Sequence, residues 1–219
     1  MIFVNLKTYK EGTGINAINL IKILEEVATL TQVKIIPVVQ ASDVREAVTN
    51  SKLEIWVQKI DSISYGAHTG AILPEKVLED GAAGTFLNHS ESKIGSLDGV
   101  KIAVERAKEV GLKTLVFAQD AEELSQVVNL EPTYVAYEPP ELVGSTEVSV
   151  AQGHPDIVLK AVEIAKMKGI PLIVGAGIHS QEDVRKSVQM GATGIAVATY
   201  VVKSSDPRKS ILGLAEGFK

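Results

Sequence analysis

Two acid-base residues stand just beyond short apolar runs: His89 after Gly84 to Leu87, and Glu138 after Tyr134 to Tyr137. Asn5 and Lys7 follow a third run, Ile2 to Val4. A carboxylate at such a position can remove a proton from the carbon next to a carbonyl. An imidazole can donate a hydrogen bond to the carbonyl oxygen, and a lysine can oppose the negative charge that develops there. Taken singly, each residue has an ordinary alternative, since Glu and Lys are usually solvated and a lone His is more often a hydrogen-bonded structural residue. If the runs are parallel strands, however, all four side chains emerge at the C-terminal edge of one sheet, where barrels of alternating strands and helices carry their chemistry.

Strand-length apolar runs begin near Ile2, Lys34, Glu54, Ala82, Thr114, Tyr134, Pro171 and Gly194, and most are separated by helical patterns. That alternation predicts βα units around a parallel sheet. Ile35 to Val39 and Leu172 to Val174 are almost continuously apolar, as strands buried on both faces must be. Ala17, Leu20, Ile21, Leu24 and Val27 recur at helical spacing, as do Val100, Ala103, Val104, Ala107 and Val110, stopped by Gly111 as a left-handed C-cap. Ile157, Ala161, Ile164 and Ala165 mark another helix, and Ser180 with Asp183 a capping-box start before Val184 and Val188. Eight runs in 219 residues leave roughly 27 residues per repeat, which is short but workable for a closed (β/α)8 barrel, an α/β fold. No linker interrupts the chain, so residues 1–219 are expected to form a single domain.

Composition narrows the function. A net charge of −5 without a Lys/Arg tract argues against nucleic acid as a partner, because phosphate-backbone binding needs a basic stripe. With no cysteine, disulfides, thiolate metal sites and a thiol nucleophile are excluded, which fits a cytoplasmic protein. No apolar stretch approaches the roughly 20 residues that span a bilayer, and no signal peptide opens the chain, so no membrane partner is expected. His68, His154 and His179 lie in polar contexts and are expected to face solvent.

Asn5, Leu6, Lys7, then Asn88, His89, Ser90, Glu91, then Ala136, Tyr137, Glu138, Pro139 resemble the triosephosphate isomerase family. The short loops and the run Glu138, Pro139, Pro140, Glu141, Leu142, Val143, Gly144 are similar to its compact archaeal branch, and the likeness extends along the whole chain in order. The resemblance implies a TIM barrel that interconverts D-glyceraldehyde 3-phosphate and dihydroxyacetone phosphate through an enediolate, in glycolysis and gluconeogenesis. Glu138, His89 and Lys7 would be catalytic, Asn5 would support Lys7, and Glu91 would pair with it. Substrate would meet Asn5, Lys7, Val143, Gly144, Gly175, Gly177, Ala198 and Thr199, with backbone N–H groups on its phosphate. Ser90 and Glu91 could open a short helical turn whose N-terminus keeps His89 neutral; the family is itself the type case of that arrangement. Pro140 to Val148 resembles the family's mobile lid. No cofactor and no metal are implied. The expected assembly is a homotetramer, with a homodimer possible, and Tyr65 to Gly70 resembles the loop that reaches into a neighbouring subunit.

Two departures stand out. Ser145, Thr146, Glu147 follow Gly144 without a second glycine, and Tyr200 occupies a position where relatives usually carry a small residue beside the phosphate. Because strand side chains alternate in direction, the Tyr200 ring is expected to turn outward, onto the outer helices or a neighbouring subunit. Two rival readings remain: another phosphosugar barrel, such as a metal-dependent epimerase, and a catalytically silent barrel that senses phosphorylated ligands. The first needs His and carboxylate ligands gathered at several strand ends, where only His89 is convincingly placed. The intact Lys7, His89, Glu138 set argues against the second.

Overall fold

Strands covered on both faces need no polar alternation, and the apolar runs here form such strands. The computed structural model describes residues 1–139, 153 and 155–219. Its strands are β1 (Ile2–Asn5), β2 (Ile35–Val39), β3 (Trp56–Val57), β4 (Gly84–Leu87), β5 (Lys113–Ala118), β6 (Tyr134–Tyr137), β7 (Leu172–Val174) and β8 (Gly194–Val197). They pair in sequence order, every ladder parallel, and β8 returns to β1 with Ile2 opposite Ile195 and Val4 opposite Val197. The result is a TIM barrel in a single domain, as the alternation predicted.

The helices follow the strands: α1 (Ile15–Thr31), α2 (Val44–Asn50), α3 (Pro74–Glu79), α4 (Leu97–Val110), α5 (Ala121–Val127), α6 (Pro155–Met167), α7 (Gln181–Gln189), α8 (Thr199–Val202) and α9 (Pro207–Glu216). The long ones match their apolar periodicity. Gly111 ends α4 at φ 92, and the Ser180 hydroxyl accepts from the Asp183 N–H at the start of α7. The helix at 44–50 and those at 121–127 and 199–202 are too short for a periodic signal. Among the described residues no helix is long and apolar enough to cross a membrane.

Period-two alternation divides the core in two. Ile2 and Val4 face the helices with the larger apolar cluster, while Phe3, Ile36, Val38, Trp56, Phe86, Leu115, Phe117, Ala136 and Ile173 fill the barrel. Phe3 and Trp56 meet edge to face at 5.1 Å, a favoured aromatic geometry. The Trp56 ring lies so close to Gly84 that a Cβ there would sit 2.5 Å from it, so this position admits only glycine.

At the N-terminal end of the barrel Glu54 gathers Lys34 Nζ (2.7 Å), Lys113 Nζ (3.1 Å) and Trp56 Nε1 (2.9 Å). Burial alone would raise its pKa, but these donors outweigh burial and hold it at about 2 against an ordinary 4.5. A depressed carboxylate stabilises the fold above its unfolded pKa and loses that contribution as pH falls toward the folded one. Glu54→Gln is therefore expected to destabilise the protein by about 1 to 3 kcal/mol at pH 7, allowing for partial solvent screening. The gap from wild type should shrink as pH falls below about 4.5 and close near 2. Chemical denaturation across that range checks it, and equal stabilities at pH 7 would refute the role given to Glu54.

Candidate active site

Side chains are aimed into the C-terminal mouth of the barrel by alternation, and by the places where alternation is broken. Asn5 follows Phe3, Glu138 follows Ala136 and Gln58 follows Trp56 on the inner face, two residues on in each case. In β4 the same rule would send Asn88 inward and His89 out to the helices. Asn88 instead takes a left-handed φ of 58, and its amide turns away to donate to the Phe117 carbonyl (3.0 Å) and Glu123 Oε1 (2.7 Å), while its oxygen accepts from the Ile94 N–H (3.2 Å). His89 is thereby brought round into the mouth. Its ring stacks nearly parallel to Phe86 and meets Phe117 edge-on at 4.8 Å.

The hydrogen bonds of His89 define its tautomer. Nδ1 accepts from the Glu91 N–H at 3.1 Å, so the proton of the neutral ring resides on Nε2. That nitrogen is 3.5 Å from Glu138 Oε2. Burial lowers the pKa of the imidazole; the Glu138 and Glu91 carboxylates pull upward without overcoming it. The expected helical turn is a single hydrogen-bonded turn, Ser92 N–H to His89 carbonyl, and no helix starts there. Neutrality at this site thus follows from burial and one backbone donor, since one turn carries little of a helix macrodipole.

Glu138 is nine-tenths buried, its N–H donating to the Ala118 carbonyl at 2.9 Å. Ser90 Oγ donates to its Oε2 at 3.0 Å. Gly175 stands behind it: a Cβ there would come within 3.3 Å of Oε1, and the Gly175 N–H is engaged by the Tyr137 carbonyl at 3.0 Å. Gly175, expected among the substrate-binding residues, thus makes room for the carboxylate, and its N–H is not free for a phosphate.

Lys7 sits on a strained backbone, φ 49, held from both sides. Its N–H donates to Asn5 Oδ1 at 3.0 Å, and its carbonyl accepts from Gln58 Nε2 at 2.8 Å. The ammonium pairs with Glu91 Oε1 at 2.6 Å. A cation this deep in the barrel mouth needs such a partner, and Glu91 also supplies the N–H that orients His89.

Asn5, Lys7, His89 and Glu138 share one cavity of about 510 Å³ with Gly177, Ala198 and Thr199. Such a volume suits a small ligand. A family model described as triosephosphate isomerase matches residues 1–215. The chain belongs to the triosephosphate isomerase family. Proteins named triosephosphate isomerase from Metallosphaera sedula and Sulfurisphaera tokodaii are similar to it, 37% identical over 218 residues and 40% over 212. The alignments cover 99% and 96% of this chain and 95% and 92% of those relatives. A third, from Methanobacterium bryantii, is 38% identical over 216 residues, 98% of this chain and 95% of the relative.

Of the positions carried over from the family, Val143 and Gly144 lie outside the described residues, as do the expected lid, Pro140 to Val148, and His154. Ala176 and Gly177 are consecutive left-handed residues, φ 72 and 70, that turn the chain out of β7 across the cavity. His68 is exposed as expected. His179 is not solvent-facing but half-buried on the cavity wall, its Nδ1 bonded to the Gly177 carbonyl and its N–H to Asp183 Oδ2 at 3.1 Å. Tyr200 also departs from expectation. It lines the cavity, and its ring stands edge-on to His179 at 6.4 Å. Alternation failed as a guide because Tyr200 belongs to the four-residue helix α8 and not to β8. Sequence reasoning also missed Ser90 and Gln58. Gln58 carried a readable signal, two residues beyond Trp56 on an inward face. Ser90 carried none, because its aim depends on the turn.

Proposed function

We propose that this triosephosphate isomerase works through Glu138 as base, His89 as electrophile and Lys7 as the fixed positive charge. Glu138 takes the proton from the carbon next to the carbonyl, leaving an enediolate, and returns it to the neighbouring carbon, while the hydroxyl proton on the first carbon's oxygen passes to the former carbonyl oxygen by way of His89 Nε2. His89 donates from Nε2 to the oxygen on which charge develops, and as a neutral ring it can do so without becoming the acid of a separate ion pair. The Lys7 ammonium faces the same developing charge, already oriented by Asn5, Gln58 and Glu91 before substrate arrives. Gly177, Ala198 and Thr199 meet the phosphate, with Val143 and Gly144 assigned to it by resemblance. The observation that carries the reading is the 3.5 Å approach of His89 Nε2 to Glu138 Oε2 inside the cavity that also holds Lys7. A base and a donor so spaced can address a carbon and the oxygen bonded to it.

A coupled isomerase assay tests these roles. Glu138→Gln retains the shape of the side chain and removes the base, so kcat is expected to fall by roughly 100-fold to 10,000-fold with much less change in KM. A variant keeping more than about a third of the wild-type kcat rules Glu138 out.

The glycolytic reaction assigns the protein to the cytoplasm, and its assembly is proposed to be a homotetramer. Resemblance to the archaeal branch supports this, as does the likeness of Tyr65 to Gly70, where Tyr65 is 73% exposed, to the loop that reaches into a neighbouring subunit. Light scattering should return about four times the 23.4 kDa of one chain, with twice that value indicating the dimer; a single-chain mass overturns the proposal.

A further inference from the structure

The aim of His89 depends on Asn88, and Asn88 is held from outside the barrel. Its side chain is almost fully buried, so its amide protons need acceptors. Nδ2 donates to the Phe117 carbonyl at 3.0 Å and to Glu123 Oε1 at 2.7 Å. The second acceptor is a carboxylate, and a charge-assisted hydrogen bond is roughly twice as strong as a neutral one. Without it a buried donor would be left unpaired, and the left-handed step at Asn88 would lose the support that offsets its strain. An extended backbone at that position sends His89 toward the helices.

Glu123 is itself fixed. Lys93 Nζ donates to both of its oxygens at 2.9 Å, and the Gln119 N–H donates to Oε2 at 2.8 Å. Each oxygen thus meets two donors, an arrangement that a carboxylate satisfies and an amide side chain cannot, because half of the amide is itself a donor. Glu123, Lys93 and Gln119 lie behind the barrel wall, where they line a separate cavity of about 340 Å³ with Asn88 and Ser96. None of the three borders the cavity that holds Lys7, His89 and Glu138. Glu123 also has a plainer role, since it stands in the first turn of α5, whose start Asp120 caps by accepting from the Glu123 N–H at 2.8 Å. Its bond to the Gln119 N–H serves that cap. The contact with Asn88, 35 residues away in the chain, adds nothing to it.

We propose that Glu123, braced by Lys93, is a positioning residue for His89: it anchors the Asn88 amide outside the barrel and so keeps the imidazole aimed into the mouth. The inference rests on the isomerase reading and deepens it. The test compares wild type, Glu123→Gln, Asp120→Ala, Asn88→Gly and the double variant Asn88→Gly with Glu123→Gln, by kinetics on D-glyceraldehyde 3-phosphate and by 15N NMR of the His89 ring. For Glu123→Gln, kcat is expected to fall about 10-fold to 100-fold, the scale of loss when a catalytic group is misplaced by about 1 Å, while KM stays within about threefold. The two ring nitrogens should shift toward the average of the two tautomers, because the Glu91 N–H no longer holds Nδ1 as an acceptor. Asp120→Ala removes the helix cap without touching Asn88, so it should lower thermal stability and leave kcat within about twofold. Glycine adopts a left-handed backbone without side-chain support, so in the Asn88→Gly background Glu123→Gln should change kcat by less than about twofold. Wild-type kcat and ring shifts in Glu123→Gln, an equal loss in Asp120→Ala, or an undiminished loss in the Asn88→Gly background overturns the assignment. Should Glu123→Gln not fold, Glu123→Asp retains the charge and withdraws the carboxylate by one methylene; its kcat should fall by at least about fivefold, and a wild-type value overturns the proposal. Should wild type fail to turn over glyceraldehyde 3-phosphate, the isomerase reading falls, and the ring shifts still decide whether Glu123 positions His89.

Discussion

The pairing of β1 with β8 is the contact on which the site depends. With Val4 opposite Val197, the chain leaves β1 at Asn5 beside the point where it leaves β8 at Ala198, and Lys7 comes to line the same cavity as Ala198 and Thr199. Those residues are separated by nearly the whole sequence, so their approach exists only if all eight ladders hold register. A slip of one residue anywhere in the ring would turn Asn5 or Glu138 from the barrel mouth to the helices, since strand side chains have period two. Interior packing holds that register: Trp56 against Gly84 admits no other residue, and Phe3 locks β1 onto the same layer.

Alternation can deliver a side chain to the mouth, but adjacent residues cannot both face inward unless the backbone leaves the strand. The chain does so with left-handed steps at Lys7, at Asn88 and at Ala176, the last continued by Gly177; none of the three is glycine. Each costs on the order of 1 kcal/mol or more, and the first two are visibly held by side-chain hydrogen bonds. The strain therefore lies where the chemistry is, supported by residues such as Gln58 and Asn88 that need not touch substrate. Electrostatics at the mouth follow the same economy, because Glu91 both neutralises Lys7 through its carboxylate and selects the His89 tautomer through its N–H.

The barrel was legible because its signal is physical and repeated: runs buried on both faces, long helices with one apolar stripe, and caps such as Gly111 and Ser180 where the backbone required them. Asn5, Lys7, His89 and Glu138 were legible through their places at strand ends together with the family resemblance. What could not be read were consequences of local geometry. A four-residue helix after β8 reversed the aim expected for Tyr200, the short turn expected beside His89 formed without continuing into a helix, and Gly175 proved to back the carboxylate. His179 and Lys203 look like ordinary polar loop residues in one dimension; only the closed ring, which folds β7 and α8 over one cavity, makes them part of its wall.

The central claim is that a carboxylate and a neutral imidazole, brought to 3.5 Å by ring closure, move a proton between adjacent carbons of a triose phosphate. The most direct measurement is isomerisation of D-glyceraldehyde 3-phosphate by the purified protein in D2O, followed by 1H NMR. A proton carried on Glu138 at the barrel mouth can exchange with solvent before it is returned, so part of the dihydroxyacetone phosphate should carry deuterium on the carbon that receives it. No turnover, or a product in which that carbon never acquires deuterium, would contradict the account.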